Sequence, residues 1–231
     1  MARTKKSLSL TDEIYDKLYN AIMNGEIPSG ANLNISSLKE KFGVSLAVIR
    51  EALLKLTAQG LVEQKPNCGF DVVELNSERL EHVIDARKIN EGIALKLALK
   101  NGDIQWQSNI IAKAYELEHT PVYLDDEKKD INPEWNDRHK AFHYALIEGC
   151  GNEVLLSICN YLWNISQIYR KQSLLLKDEN RNFQEEHKHL MDAVLKRDEK
   201  EALELFETHI ENTKMQMLLK ESEMMIHNSR I

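Results

Sequence analysis

Four of the eight histidines in this 231-residue chain fall on the apolar stripes of helix-forming segments. Projected at 100° per residue, the segment 134–148 turns Trp135, Phe142 and Leu146 inward, with His139 on that stripe and His143 at its margin. The two are spaced i,i+4, so both rings can face one ion. His187 shares a stripe with Phe183, Leu190 and Val194, and His209 shares one with Ala202, Leu205, Phe206 and Thr213. His189 projects to the opposite side. A single inward histidine is usually a satisfied core residue, but four inside one helical region call for another explanation. Neutral imidazole ligates zinc, nickel, copper or iron, and bundle cores commonly house such ions. His139, His143, His187 and His209 are therefore candidate metal ligands, with affinity expected to fall below about pH 6.5.

A second group carries charge on apolar faces. In 77–100, Arg87 and Glu91 lie within the stripe of Leu80, Val83, Ile84, Ala94, Leu95 and Ala98. A buried charge is costly unless paired or liganded. Two readings stand: an i,i+4 ion pair in the core, or an Arg87 that receives a ligand carboxylate, often bidentately. The segment 152–176 has an apolar face of Leu155, Ile158, Cys159 and Leu162 that continues as Ser166, Tyr169, Arg170 and Ser173. This makes Tyr169 and Arg170 candidate effector contacts on a wet wall, or residues of the domain surface.

The elements that position these residues follow from local signals. Helical spacing starts with Ile14, Leu18 and Ile22 after a Thr11 cap and stops at Gly25; Ile27–Gly30 is a turn. A short helix over Ile35–Phe42, capped by Asn34 or Ser36, breaks at Gly43, and Ser45 caps a third carrying Val48, Ile49, Ala52, Leu53 and Leu56 up to Gly60. Two helices around a tight glycine turn predict a helix-turn-helix. Strands over 61–64 and 70–73, joined by Pro66–Gly69, predict a wing. From residue 76 onward the chain reads as helix, with breaks near 101, 120, 149 and 177 and a charged loop over 118–132. The expectation is a mainly α protein with two domains: a winged helix-turn-helix over 1–75, of three helices and a two-stranded wing, and an all-helical bundle over 76–231.

Charge is unevenly distributed. Residues 1–75 hold nine Lys/Arg and nine Asp/Glu, so the entire −7 lies in the remainder. DNA binding would depend on local cations: Arg3, Lys5 and Lys6, then Arg50, Lys55 and Lys65. The helix opening at Ser45 would enter the major groove, its first residues meeting base edges. The alternative is a plain three-helix bundle. Three cysteines without CxxC spacing, Cys68, Cys150 and Cys159, read as reduced thiols. With no long apolar run and no apolar stretch after the basic start, a cytoplasmic protein is expected.

Both halves resemble known families. Tyr15, Leu18, Ile22, Gly25, Pro28, Gly30, Leu33, Leu38, Phe42, Gly43-Val44-Ser45, Val48, Arg50-Glu51-Ala52-Leu53, Leu56, Gly60-Leu61-Val62, Asn67 and Gly69 resemble the GntR winged-helix signature. The resemblance implies that Ser45 and Arg50 touch DNA and that the Asn67–Gly69 wing tip lies near the minor groove. The chain departs from the pattern at Leu46, where many relatives carry Arg, at Ala47 and Val48, and at Ser36, which replaces a polar or basic residue that contacts DNA in some members. Leu46 or Ala47 would pack on a thymine methyl or cover the helix start.

Arg87-Lys-Ile-Asn-Glu91, His139-x-x-Phe142-His143, Glu186-His187-x-x-Leu190-x-x-Ala193, and Asp198-x-x-x-Ala202 with His209 resemble the FCD ligand domain of the FadR subgroup. That resemblance implies a homodimer, a metal on the histidines and an organic acid beside it. The usual first ligand is Asp, and His139 stands in its place, leaving the ion's charge uncompensated and favouring zinc or nickel over manganese. The function expected is a transcription regulator, a repressor rather than an activator, whose hold on a double-stranded DNA operator answers to a small carboxylate. It is not expected to be an enzyme, since four histidines can saturate an ion and no base or nucleophile stands near them. The rival readings are a metal-dependent enzyme fused to a winged helix, and a regulator whose metal is structural or is itself the signal.

Overall fold

Caps decide where the N-terminal helices begin. In a computed structural model of the chain, which describes residues 9–65, 69–74, 76–124, 132–173 and 182–228, with the helix backbone alone at 171–173, 216–217 and 219–228, Ser9 caps α1 (Leu10–Met23). Its hydroxyl oxygen accepts the Asp12 amide at 3.2 Å and the Asp12 carboxylate answers the Ser9 amide, a reciprocal capping box. Thr11, expected as the cap, lies inside the helix instead, buried, with its hydroxyl donating to Glu51 at 3.1 Å. The helix starts two residues early because Ser9 has its carboxylate partner three residues on, whereas Thr11 is followed at that spacing by Ile14.

Asn34, not Ser36, caps α2 (Ile35–Phe42), and Gly43 ends it with φ +66°, a left-handed conformation that glycine adopts without penalty. Ser45 caps α3 (Leu46–Ala58), its oxygen accepting from the Val48 amide at 3.3 Å. Ile14, Leu18, Ile22, Leu38, Ile49, Leu53 and Leu56 form the core between these helices. Strands β1 (Val62–Lys65) and β2 (Gly69–Val72) pair antiparallel, Val62 opposite Val72 and Lys65 opposite Gly69. The pairing extends to Leu61 and Val73 through a 3.1 Å amide–carbonyl bond. The other edge of β2 is covered by 30–33, where Leu33 donates to Phe70 at 2.7 Å and Val72 to Ala31 at 2.9 Å. These bonds give the short hairpin a third partner, which an isolated two-stranded ribbon lacks.

The chain divides into two compact units, Met1–Asn76 and Ser77–Ile231. In the second, helices α4 (Ser77–Asn101), α5 (Ile104–Glu118), α6 (Pro133–Glu148), α7 (Glu153–Ser173), α8 (Phe183–Leu195) and α9 (Glu199–Asn228) build a helical domain. The central helix α4 packs on α7, α9 and α6, while α5 packs on α6 and α8, and α8 on α9. Trp106 pins α5 to α6, its indole N–H donating to the Ala145 carbonyl at 2.8 Å. Gly102 and Gly149 lie against its ring so closely that a Cβ at either would meet it, at 2.1 Å and 2.9 Å respectively. On α7 the expected apolar face is corrected at one position: Ile158 is exposed, and Trp163 is buried in line with Cys159 and Ser166. No helix among the described residues is long and apolar enough to cross a membrane.

Candidate functional site

The interior of the helical domain brings the four histidines together. His139 and His143 come from α6, His187 from α8 and His209 from α9; all four are buried, with one ligand atom from each within 4.8 Å of the others. The Nε2 atoms of His143 and His187 each lie 3.1 Å from His139 Nε2. Burial pushes the pKa of His139 and of His143 well below the ordinary imidazole value. The Arg170 charge and the neighbouring rings add to this at His139; at His143 the other rings come next, followed by Arg87 and Arg170. Both rings are therefore neutral at pH 7, the state that can offer a lone pair. His209 Nδ1 stands 2.7 Å from a Glu186 carboxylate oxygen, the carboxylate–imidazole arrangement that orients histidine ligands and fixes their tautomer. Glu186 was legible only as part of a motif: it precedes His187 on α8, so it points roughly 100° away, toward α9.

The donor set suits a divalent transition metal. Its members are buried and convergent, the His139 and His143 rings are neutral, and His143 Nδ1 is buried without a hydrogen-bond partner, an unsatisfied polar atom that an ordinary core histidine would not leave. Ligands for such an ion could be drawn from His139, His143, His187 and His209, and the ion would supply a Lewis-acidic anchor for an anion.

The charged neighbours are fully engaged. Arg87 is buried and meets Glu91 twice, Nε to Oε1 at 2.6 Å and an NH2 to Oε2 at 3.1 Å, and its other terminal nitrogen donates to Ser166 at 3.2 Å. The intrahelical ion pair is thus present, with the guanidinium 4.6 Å over the Trp163 ring. Arg170 is buried rather than at the surface. It donates to His139 Nδ1 at 2.6 Å, to Asn136 at 2.9 Å and to Gln167 at 3.2 and 3.0 Å. Tyr169 is buried on α7 as well, and the Ser173 side chain lies outside the described residues. Trp163 escaped the sequence reading. It approaches His139, His143, Arg87 and Arg170, yet as one more apolar residue on a helix it gave no periodic signal of a site.

Among the described residues, cavities reach the cluster from two sides. One of about 20 Å³, with Glu91, His143 and Trp163 in its wall, has room for about one water. The other, about 220 Å³, lies between α5 and α8 and reaches His187.

In the N-terminal unit, Ser36, Ser45, Leu46, Ala47 and Arg50 are all exposed on the two packed helices α2 and α3. Leu46 is 49% exposed at the first position of α3. Ser45 uses its oxygen as a cap, an acceptor role that does not consume its hydroxyl proton. Of the expected cations, Lys55 pairs with Asp12 at 2.6 Å and Lys65 with Asp71 at 2.8 Å. Both are tied to neighbouring carboxylates, which leaves Arg50 as the exposed cation of the α3 first turns. Gly69 takes φ +91° at the start of β2. Asn67, Arg3, Lys5, Lys6 and Cys68 lie outside the described residues.

Comparison with known proteins agrees with both units. Residues 10–72 match the model of bacterial regulatory proteins of the gntR family, and residues 82–212 match the FCD domain. The chain is 30% identical over 200 residues to the HTH-type transcriptional repressor GlaR of Escherichia coli K12, covering 85% of this chain and 90% of that one. It is 29% identical over 210 residues to the HTH-type transcriptional regulator BphR of Paraburkholderia xenovorans, covering 89% and 84%. Among solved structures, McbR/YncC of E. coli shares the fold at a TM-score of 0.71 and 20% identity, over 93% of this chain and 99% of that one. With its winged helix-turn-helix and its FCD domain, this chain belongs to the gntR family of bacterial regulatory proteins and is a DNA-binding transcriptional regulator.

Proposed function

We propose that this regulator is a homodimeric, cytoplasmic repressor in which residues 1–75 read a two-fold operator and residues 76–231 sense a small carboxylate at a metal centre. The observation that carries this reading is the convergence of four buried histidines from three helices in the domain that follows the DNA-binding unit. Zinc or nickel suits an all-imidazole set. An ion there, with Arg170 close by and Arg87 already balanced by Glu91, leaves a net positive interior that favours an anionic guest. Arg87, Tyr169 and Arg170 are the effector-side residues, with Arg87 turning from Glu91 toward the guest. The cavity at His143 holds only about one water, so an organic acid entering there must part the surrounding helices. That movement is what lets binding favour one arrangement of the domain over another. A coupling of about 1–3 kcal/mol would change operator affinity roughly 5–150-fold.

The test is thermal shift of metal-analysed protein against a panel of mono- and dicarboxylates, with Arg87→Ala alongside. One acid should raise the melting temperature of the wild type and not of the variant. If no acid does so while metal removal collapses the fold, the ion is structural and the sensor reading is wrong. An effect of metal alone on operator affinity would favour a metal-responsive regulator, and metal-dependent turnover an enzyme.

For the dimer, Ile89 and Ile93 on α4 and Ile158 and Tyr161 on α7 are exposed apolar side chains on two helices that pack together. A second copy is the occupant that a two-fold operator requires. Ile93→Glu should halve the mass measured by light scattering, and an unchanged mass would exclude this surface.

A further inference from the structure

We infer that His139 does not ligate the metal but donates a hydrogen bond to the anion that completes it: His143, His187 and His209 hold the ion, and Arg170 fixes His139 so that its Nε2–H faces a carboxylate oxygen. The inference rests on the metal-centred reading above and assigns the one histidine whose partner chemistry differs from the rest.

The argument starts from Arg170, 2.6 Å from His139 Nδ1. A guanidinium has only N–H donors and keeps its charge in proteins, so Nδ1 must accept. A neutral imidazole that accepts at Nδ1 carries its proton on Nε2. Arg170 is itself held, by Gln167 Oε1 and Asn136 Oδ1, and lies near the rings of Trp135 and Trp163 at 5.3 and 5.7 Å. The lock is part of a buried network rather than a side chain free to turn.

The other three rings are complementary. His143 Nε2 and His187 Nε2 each lie 3.1 Å from His139 Nε2, so either can accept its proton with a lone pair that faces the centre. His209 presents Nδ1 to Glu186, an acceptor when ionised, and therefore keeps its lone pair on Nε2. The centre thus receives one N–H and three lone pairs. Four lone pairs would require Arg170 to leave or His139 to become an imidazolate. Three histidines leave an open position on the ion, as sites that bind an exogenous group do.

A second observation points to the nature of that group. His143 Nδ1, Trp163 Nε1 and Gln167 Nε2 are buried without hydrogen-bond partners. Arg170 occupies Gln167 Oε1, so the orphaned end is the NH₂, and a His143 that offers Nε2 to the ion carries its proton on Nδ1. All three are donors, on side chains that belong to the cluster or touch Arg170. Orphaned donors of one kind call for an oxygen-rich acceptor.

The test uses the full-length protein. Zinc affinity is measured by chelator competition for the wild type, His139→Ala, His139→Gln and His187→Ala, and the cobalt-loaded forms are titrated with acetate while the visible spectrum is followed. His187→Ala should weaken zinc well over about 100-fold, and His139→Ala no more than about 10–100-fold, the range of a second-sphere change. Acetate affinity should fall about tenfold or more in His139→Ala and recover in His139→Gln, whose amide restores a donor. Loss of zinc in His139→Ala equal to that in His187→Ala, or unchanged acetate binding, would overturn the assignment and indicate a four-histidine centre. A wild type that binds no zinc or cobalt would overturn the metal reading itself along with this assignment.

Discussion

Arg87 and Glu91, one turn apart on α4, hold each other with two hydrogen bonds at 2.6 and 3.1 Å, both side chains at most 5% exposed. In the core such a pair is costly to break from one side, because the remaining charge stays buried without a counterion. Glu91→Ala should therefore destabilise the protein by about 3–5 kcal/mol in urea unfolding. The double change Arg87→Met with Glu91→Leu should recover most of that loss, and a double variant no more stable than Glu91→Ala would show that the pair matters for its shape rather than its charge.

Acid should unfold the metal-free protein early. His139 and His143 are held well below the usual value near 6.5, so they stay neutral in the folded chain and protonate in the unfolded one. The unfolded state then binds more protons as pH drops below about 6.5, and stability falls with it. The slope is at most about 1.4 kcal/mol per pH unit for each histidine. Above pH 7 the contribution is complete and flat. Melting temperatures of chelator-treated protein between pH 5 and 8 check this, with His143→Gln expected to flatten the acid limb.

Trp106 sets a packing limit. A Cβ on Gly102 would meet the indole at 2.1 Å, and the ring is fixed by its bond to Ala145. Gly102→Ala should cost about 1–3 kcal/mol or more from overpacking, and Gly149→Ala less, since its clash is milder at 2.9 Å. Thermal melts rank the two; equal effects would mean that α5 slides freely.

On the DNA side, Arg50→Ala should weaken operator binding and, if its partner is a phosphate, reduce the salt slope by about one. An unchanged slope with relaxed sequence preference would instead place Arg50 on a base. Leu46, 49% exposed at the first position of α3, should matter only for operators with a thymine at the matching site. Binding of a thymine-to-uracil operator, which lacks the methyl, reads this out.

Much of the fold was written in short-range signals. Asn34, Gly43 and Ser45 mark helix ends because caps act within three or four residues, and the period of 3.6 placed all four histidines inward. Where a local signal had a rival, as with Thr11 against Ser9, only the bond that Thr11 makes to Glu51, 40 residues away, revealed its other use. The sequence by itself determined the two-part architecture, the inward histidines and the cap-defined helices, since those depend on neighbours along one helix. Only the tertiary structure decided that Arg170 reaches His139 across 31 residues, that Glu186 reaches His209 across 23, and that Trp163 stands among them. Periodicity gives the direction in which a side chain leaves its helix, but the partner it meets depends on how separate helices are packed.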